Sequence, residues 1–132
     1  MRNAIVLLIG LLVGAFAGGM MINTLRQRDA FARGVMDVLQ HHYGGLREDI
    51  HAQRCDATKS THAFAQLRAL AEDIEPAIYP DSTAEAPFRE FTQRLTEALD
   101  AVPNPAPADC TQLLPLVQKI GKVCDDCHQQ FR

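Results

Sequence analysis

Apolar positions along this chain recur at helical spacing in four stretches, and no stretch alternates in the manner of a strand. The first covers 24–52. Val35, Leu39, His42 and Leu46 form one stripe there, with Met36, Tyr43 and Ile50 beside it. The second covers 61–75 and places Phe64, Leu67, Leu70, Ala71 and Ile74 on one face, with Pro76 expected to end it. The third, 86–102, has the cleanest period: Phe88, Phe91, Leu95, Leu99 and Val102. In the fourth, Asp109 or Thr111 can cap the start. Its apolar face is Leu113, Leu116, Val117, Ile120, Cys124, Cys127 and Phe131, and Pro115 is expected either in its first turn or to shift its start by a few residues. The connectors are a polar break over 55–60, a turn at Pro80-Asp81-Ser82, and a proline-rich stretch over 103–107. Four amphipathic helices with short connections predict an all-α, antiparallel up-down-up-down four-helix bundle. Gly44 and Gly45 inside the first helix each cost about 1 kcal/mol relative to Ala, so close packing is expected there.

The N-terminus differs from the rest. No charged residue lies between Arg2 and Arg26, and residues 4–22 are all apolar or glycine. As a helix this run is about 28 Å long, close to the roughly 30 Å of a hydrocarbon core. Two readings stay open. Ala15-Phe16-Ala17 suits the small-residue site of a cleaved secretory signal, with 5–13 as its apolar region. A retained anchor is the other reading, with Gly10, Gly14 and Gly18 on one face allowing close helix approach. The organisation expected is 1–23 as signal peptide or membrane anchor and 24–132 as one helical domain. Either reading places that domain outside the cytoplasm, in the periplasm, tethered to the inner membrane if the helix is retained.

The 132 residues suit a single domain, and 47% are hydrophobic, which excludes a disordered chain. The net charge is −3 and both signs are scattered. With no Lys/Arg cluster, no nucleic-acid partner is expected.

Cys124-Asp125-Asp126-Cys127-His128 is the most specific motif. C-x-x-C-H puts both cysteines on one helical face and turns the next residue's imidazole towards the same place. That is the pattern of covalent c-type haem attachment, with Cys124 and Cys127 as thioethers and His128 as proximal iron ligand. Three rivals are weaker. A thioredoxin-like pair needs a βαβ setting. A structural zinc site needs two further ligands. A disulfide between residues three apart on a helix is strained.

The chain from about Arg26 onward resembles the cytochrome c′ family. The strongest element is Gly121-Lys122-Val123-Cys124-Asp125-Asp126-Cys127-His128-Gln129-Gln130-Phe131-Arg132, which is similar to the family's G-K-x-C-x-x-C-H-x-x-[FY]-R on its last helix. A second element is Tyr43-Gly44, similar to an aromatic-Gly pair in the family's first helix; the residue seven before is Met36. The resemblance implies one haem c between the first and last helices. Many members carry a non-ligating residue at the position of Met36 and bind gases there. A low-spin branch carries Met and ligates the iron, so the resemblance implies His128/Met36 ligation. Met/His ligation raises the haem potential and suits electron transfer. The bland alternative for Met36 is a core gap-filler. Family members also commonly pair as homodimers through their first two helices.

The leading functional reading is therefore single-electron transfer with redox partner proteins. The alternative is a gas-binding haem protein, for nitric oxide or carbon monoxide, with a displaceable or absent sixth ligand. An enzyme such as a peroxidase ranks last, because no distal acid–base pair is expected on the Met36 face. Arg33, one turn before Met36, is a candidate contact for a haem propionate; an isolated helical Arg is otherwise solvated. His41 and His42 point well away from Met36 and are expected in packing or solvated roles, and His51 and His62 in solvated positions near the far end. Cys55 and Cys110 remain. If Met36 stands level with His128, Cys55 lies 19 residues beyond the first and Cys110 lies 18 before the second. Antiparallel helices then bring the two to within about 1.5 Å in height, close enough for a disulfide.

Overall fold

In the computed structural model, residues 2–81 and 83–131 are described, with side chains outside 2–9 and 21–29. Four helices account for nearly all of them: α1 (Arg2–His51), α2 (Ala57–Ile78), α3 (Ala86–Asp100) and α4 (Cys110–Gln130). Each packs on its chain neighbours, and α4 closes against α1; among the described residues the diagonal pairs do not meet. The result is the expected antiparallel four-helix bundle, and no strand occurs among the described residues. The core is made by the predicted faces: Phe64, Phe88, Leu99, Leu113, Val117 and Ile120 are all fully buried.

The boundaries differ in instructive ways. α1 begins at Arg2, not near residue 24, so the apolar run and the first bundle helix are one continuous element. Leu11, Leu12, Val13 and Phe16 on it are exposed. Among the described residues no helix is long and apolar enough to cross a membrane. Residues 4–9, 21 and 22 of the run, and Ser82 of the expected turn, lie outside the residues whose side chains are described.

α2 starts four residues earlier than expected, because Asp56 caps it by accepting from the Lys59 amide at 2.8 Å. It also runs past Pro76 to Ile78. Proline removes one backbone donor, but Ala77 is buried, and Tyr79 packs edge-on to Phe88 with ring centroids 4.9 Å apart. Pro115 likewise lies beyond the first turn of α4. The helix starts at Cys110, with Asp109 accepting from the Thr111 amide at 2.8 Å, and both Thr111 and Pro115 face solvent. The carbonyl that loses its partner can therefore be hydrated.

Three hydrogen bonds that tie α2 to the end of α3 and its connector were not legible from periodicity. Arg68 of α2 donates to the carbonyls of Leu99 at 2.6 Å and Val102 at 3.0 Å, and pairs with Asp100 at 3.5 Å. One guanidinium thus supplements the local backbone bonds at the carbonyl end of α3. Thr61 accepts from the Ala106 amide at 2.9 Å, fixing the α3–α4 connector to α2.

At the end where α1 gives way to α2, Cys55 and Cys110 form a disulfide with Cα atoms 5.4 Å apart. Met36 and the end of α4 lie towards the opposite end.

Candidate functional site

The site sits between α1 and α4 and is walled by α2 and α3. Helical spacing puts Cys124, Cys127 and His128 along one face of α4, and all three line a cavity of about 370 Å³. Met36 from α1 lines the same cavity, together with Asp37, Gln40 and Tyr43. α2 supplies Leu67 and Ile74, and α3 supplies Phe88, Phe91 and Leu95. The walls are mostly apolar, with a few polar groups from α1, as in sites for cofactor-sized ligands.

Phe131, just past the end of α4, closes the site. Its ring packs edge-on to Phe88 at 5.2 Å and Phe91 at 6.0 Å, and its amide donates to the Cys127 carbonyl at 3.0 Å. This aromatic group ties the end of α4 to α3. Arg132, the last residue of the motif, lies outside the described residues.

Both cysteines are free and half-buried. Burial pushes the Cys124 thiol up to about 11, with smaller contributions from Asp125 and Cys127. Burial raises Cys127 as well. Both are therefore neutral thiols at pH 7. His128 is exposed at the rim, and its ring makes no hydrogen bond among the described residues. The rival readings of the cysteine pair gain nothing. No strand accompanies it, no disulfide joins it, and no group of three or more His, Cys, Asp or Glu among the described residues could hold a metal ion.

The turn carrying the cysteines is braced from outside. Asp126 accepts from Lys122 one turn back at 3.1 Å and pairs with Arg94 of α3 at 3.4 Å. The Arg94 guanidinium in turn lies over the Phe91 ring at 5.1 Å. Charge pairing thus sits on the outer side of the turn and apolar walls on the inner side.

Close backbone approach occurs at Gly121, not at Gly44 or Gly45. A β-carbon at Gly45 would meet nothing, and one at Gly44 would meet only Gln40 at 3.9 Å. Gly121 instead receives the Tyr43 ring directly. Tyr43 separates the apolar cavity from a second, more polar one lined by Arg47, His51, Lys122 and Asp125. Burial raises the Tyr43 pKa, against a smaller opposing effect of Arg47.

Arg33, the candidate propionate contact, is exposed and does not line the cavity. His41 and His42 are also absent from its lining; their rings lie 5.3 Å apart, and His62 of α2 lies 6.5 Å from His42. His51 and His62 are exposed.

No protein-family model and no curated protein sequence matches the chain. Among solved structures, the fold is similar to that of cytochrome c′ from Rubrivivax gelatinosus, with a TM-score of 0.66 and 17% sequence identity. The likeness covers 78% of this chain and 92% of that one. The architecture is accordingly the four-helix bundle of cytochrome c′.

Proposed function

We propose that the chain is a c-type cytochrome that passes single electrons, with one haem c held by thioethers to Cys124 and Cys127. His128 is the proximal ligand and Met36 the distal one. The observation that carries this reading is the meeting of the C-x-x-C-H residues of α4 and Met36 of α1 on one apolar cavity. The donor set suits the group. Two free neutral thiols become uncharged thioethers, which an apolar cavity accommodates without a desolvation penalty. An imidazole and a thioether are a known axial pair for c-type haem.

When bound, haem supplies reversible one-electron oxidation and reduction at its iron. The protein's own part is to hold and tune. His128 and Met36 approach from different helices, so the closure of α4 on α1 sets their separation. Phe88, Phe91, Leu67 and Ile74 exclude water and lower the local dielectric. The Met thioether favours the reduced state and raises the potential. The reading also places the domain in the periplasm, with residues 4–22 retained as a tether and redox proteins as partners.

The test is an absorption spectrum of the reduced protein with and without carbon monoxide, after extraction with acidified acetone to establish covalent attachment. The expected result is haem that resists extraction, and low-spin bands that carbon monoxide leaves unchanged. Met36→Ala should become high-spin and bind carbon monoxide. Haem lost to acidified acetone overturns the proposal. An unmodified protein that is high-spin and shifts with the gas makes it a gas-binding protein instead.

A further inference from the structure

α1 passes from the apolar run into the bundle without a break. Its side chains Leu11, Leu12, Val13 and Phe16 are 61–73% exposed, so the bundle does not cover them. At about 100° per residue these four spread over roughly 200° of the helix surface. A single partner helix covers a stripe; a surface apolar on so many sides is matched by lipid. The run is about 28 Å long, and the first charges beyond it, Arg2 on one side and Arg26 and Arg28 on the other, are cations suited to phosphate headgroups.

A helix that leaves a bilayer without a break carries its direction into the domain it enters. Ile22 ends the apolar run, and at about 1.5 Å per residue Phe31 stands about 14 Å beyond it, Met36 about 21 Å and His51 about 44 Å. α2 runs back towards the membrane and ends at Ile78, and α4 brings Cys124, Cys127 and His128 back in the same direction. The end of the bundle with the cavity is thus the near end, and the Cys55–Cys110 disulfide is at the far end. The near end also carries two exposed large apolar side chains, Phe31 at 55% and Ile78 at 39%.

We propose that α1 stands the bundle on the bilayer with its cavity end towards the membrane surface, Phe31 and Ile78 facing the lipid headgroups and the disulfide end facing away. This rests on the tethered reading given above. It follows that electron exchange through the cavity end is with a centre exposed at the surface of that same membrane.

The chain contains no tryptophan, so a single introduced one reports depth without background. The full-length holoprotein is placed in vesicles of phosphatidylcholine and phosphatidylglycerol as Phe16→Trp, Ile78→Trp or Leu114→Trp. Leu114 is 40% exposed near the disulfide end, which makes it the control. Ile78 also lines the cavity, so each variant is compared with itself in unlabelled vesicles, which normalises for quenching by the haem. Brominated acyl chains should quench Phe16→Trp. Spin-labelled headgroups should quench Ile78→Trp and leave Leu114→Trp unchanged. A flexible Gly-Ser insertion after Arg28 should make the last two responses converge. Equal responses of Ile78→Trp and Leu114→Trp without the insertion overturn the orientation while the tether stands. No quenching of Phe16→Trp overturns the tether, and the orientation with it.

Discussion

The Tyr43 ring lies against the bare Cα of Gly121, where a β-carbon would overlap the phenol oxygen and stand 2.8 Å from Cζ. This contact lies in the interface through which α4 closes on α1, one turn before Cys124. It therefore governs the spacing of the two helices that carry Met36 and His128.

Gly121→Ala forces that interface apart or drives the Tyr43 ring out of it. The expected cost is about 1–3 kcal/mol, as for other overpacked sites. Tyr43→Leu should recover part of it in the double variant, because the ring atoms that clash are gone. Urea denaturation of both single variants and the double variant measures the coupling. Strict additivity of the two would show that the contact does not set the interface.

Removing the Cys55–Cys110 bridge acts on the unfolded chain. The bridge closes a loop with a sequence separation of 55. Chain entropy values such a loop at about 4 kcal/mol, and measured cases often fall below that. Cys55→Ala with Cys110→Ala should lower the denaturation midpoint clearly while leaving the spectrum of the haem proposed for the site unaltered, since the bridge lies at the other end of the bundle. A visible spectral change would mean that the two ends are not independent.

Acid should weaken the α1–α2 interface through His42. Burial, then His41 and His62, hold its pKa below the usual 6.5. A depressed histidine is neutral when folded, and the unfolded chain takes the proton more readily. Stability contributed this way is present above pH 6.5, is lost as pH falls towards the folded value, and stays lost below it. Thermal melts across pH 7.5 to 5 should therefore show a fall that His42→Gln makes shallower. An unchanged slope in that variant would remove His42 from the effect.

Asp126→Asn should matter little to stability. Asp126 and its partners Arg94 and Lys122 are all partly exposed, and such pairs contribute about 1 kcal/mol or less. The variant should unfold near the parent midpoint. A loss as large as that expected for Gly121→Ala would mean that the brace carries the site.

The architecture was legible because each helix hides one face, and the 3.6-residue period of that face is written in apolar residues such as Phe88, Leu95 and Leu99. Helix ends were less legible. The period cannot show that Asp56 caps α2 ahead of its first buried residue, nor that packing of Ala77 and Tyr79 carries α2 through Pro76. The placement of Cys124, Cys127 and His128 on one face follows from spacing alone, whereas their meeting with Met36 depends on how α4 approaches α1. That approach is set by Gly121, whose role no local pattern reveals, since a glycine under a tyrosine from another helix looks like any helical glycine. Arg33 was drawn towards the site by sequence distance, but its direction from the helix leaves it in solvent.

The hold of Arg68 on the end of α3 has a kinetic consequence. The Val102 carbonyl finds its partner on α2, 34 residues away in sequence, and the Leu99 carbonyl, which already accepts from the Val102 amide, gains the same guanidinium from 31 residues away. α3 is 15 residues long, near the lower limit for a helix that persists in water by itself. Its last turn therefore loses the Arg68 bonds whenever α2 undocks, and the two helices should open together. Amide protons in the last turn of α3 would then exchange with deuterium at the rate of those in the middle of α2, as one cooperative unit and not as a fraying end.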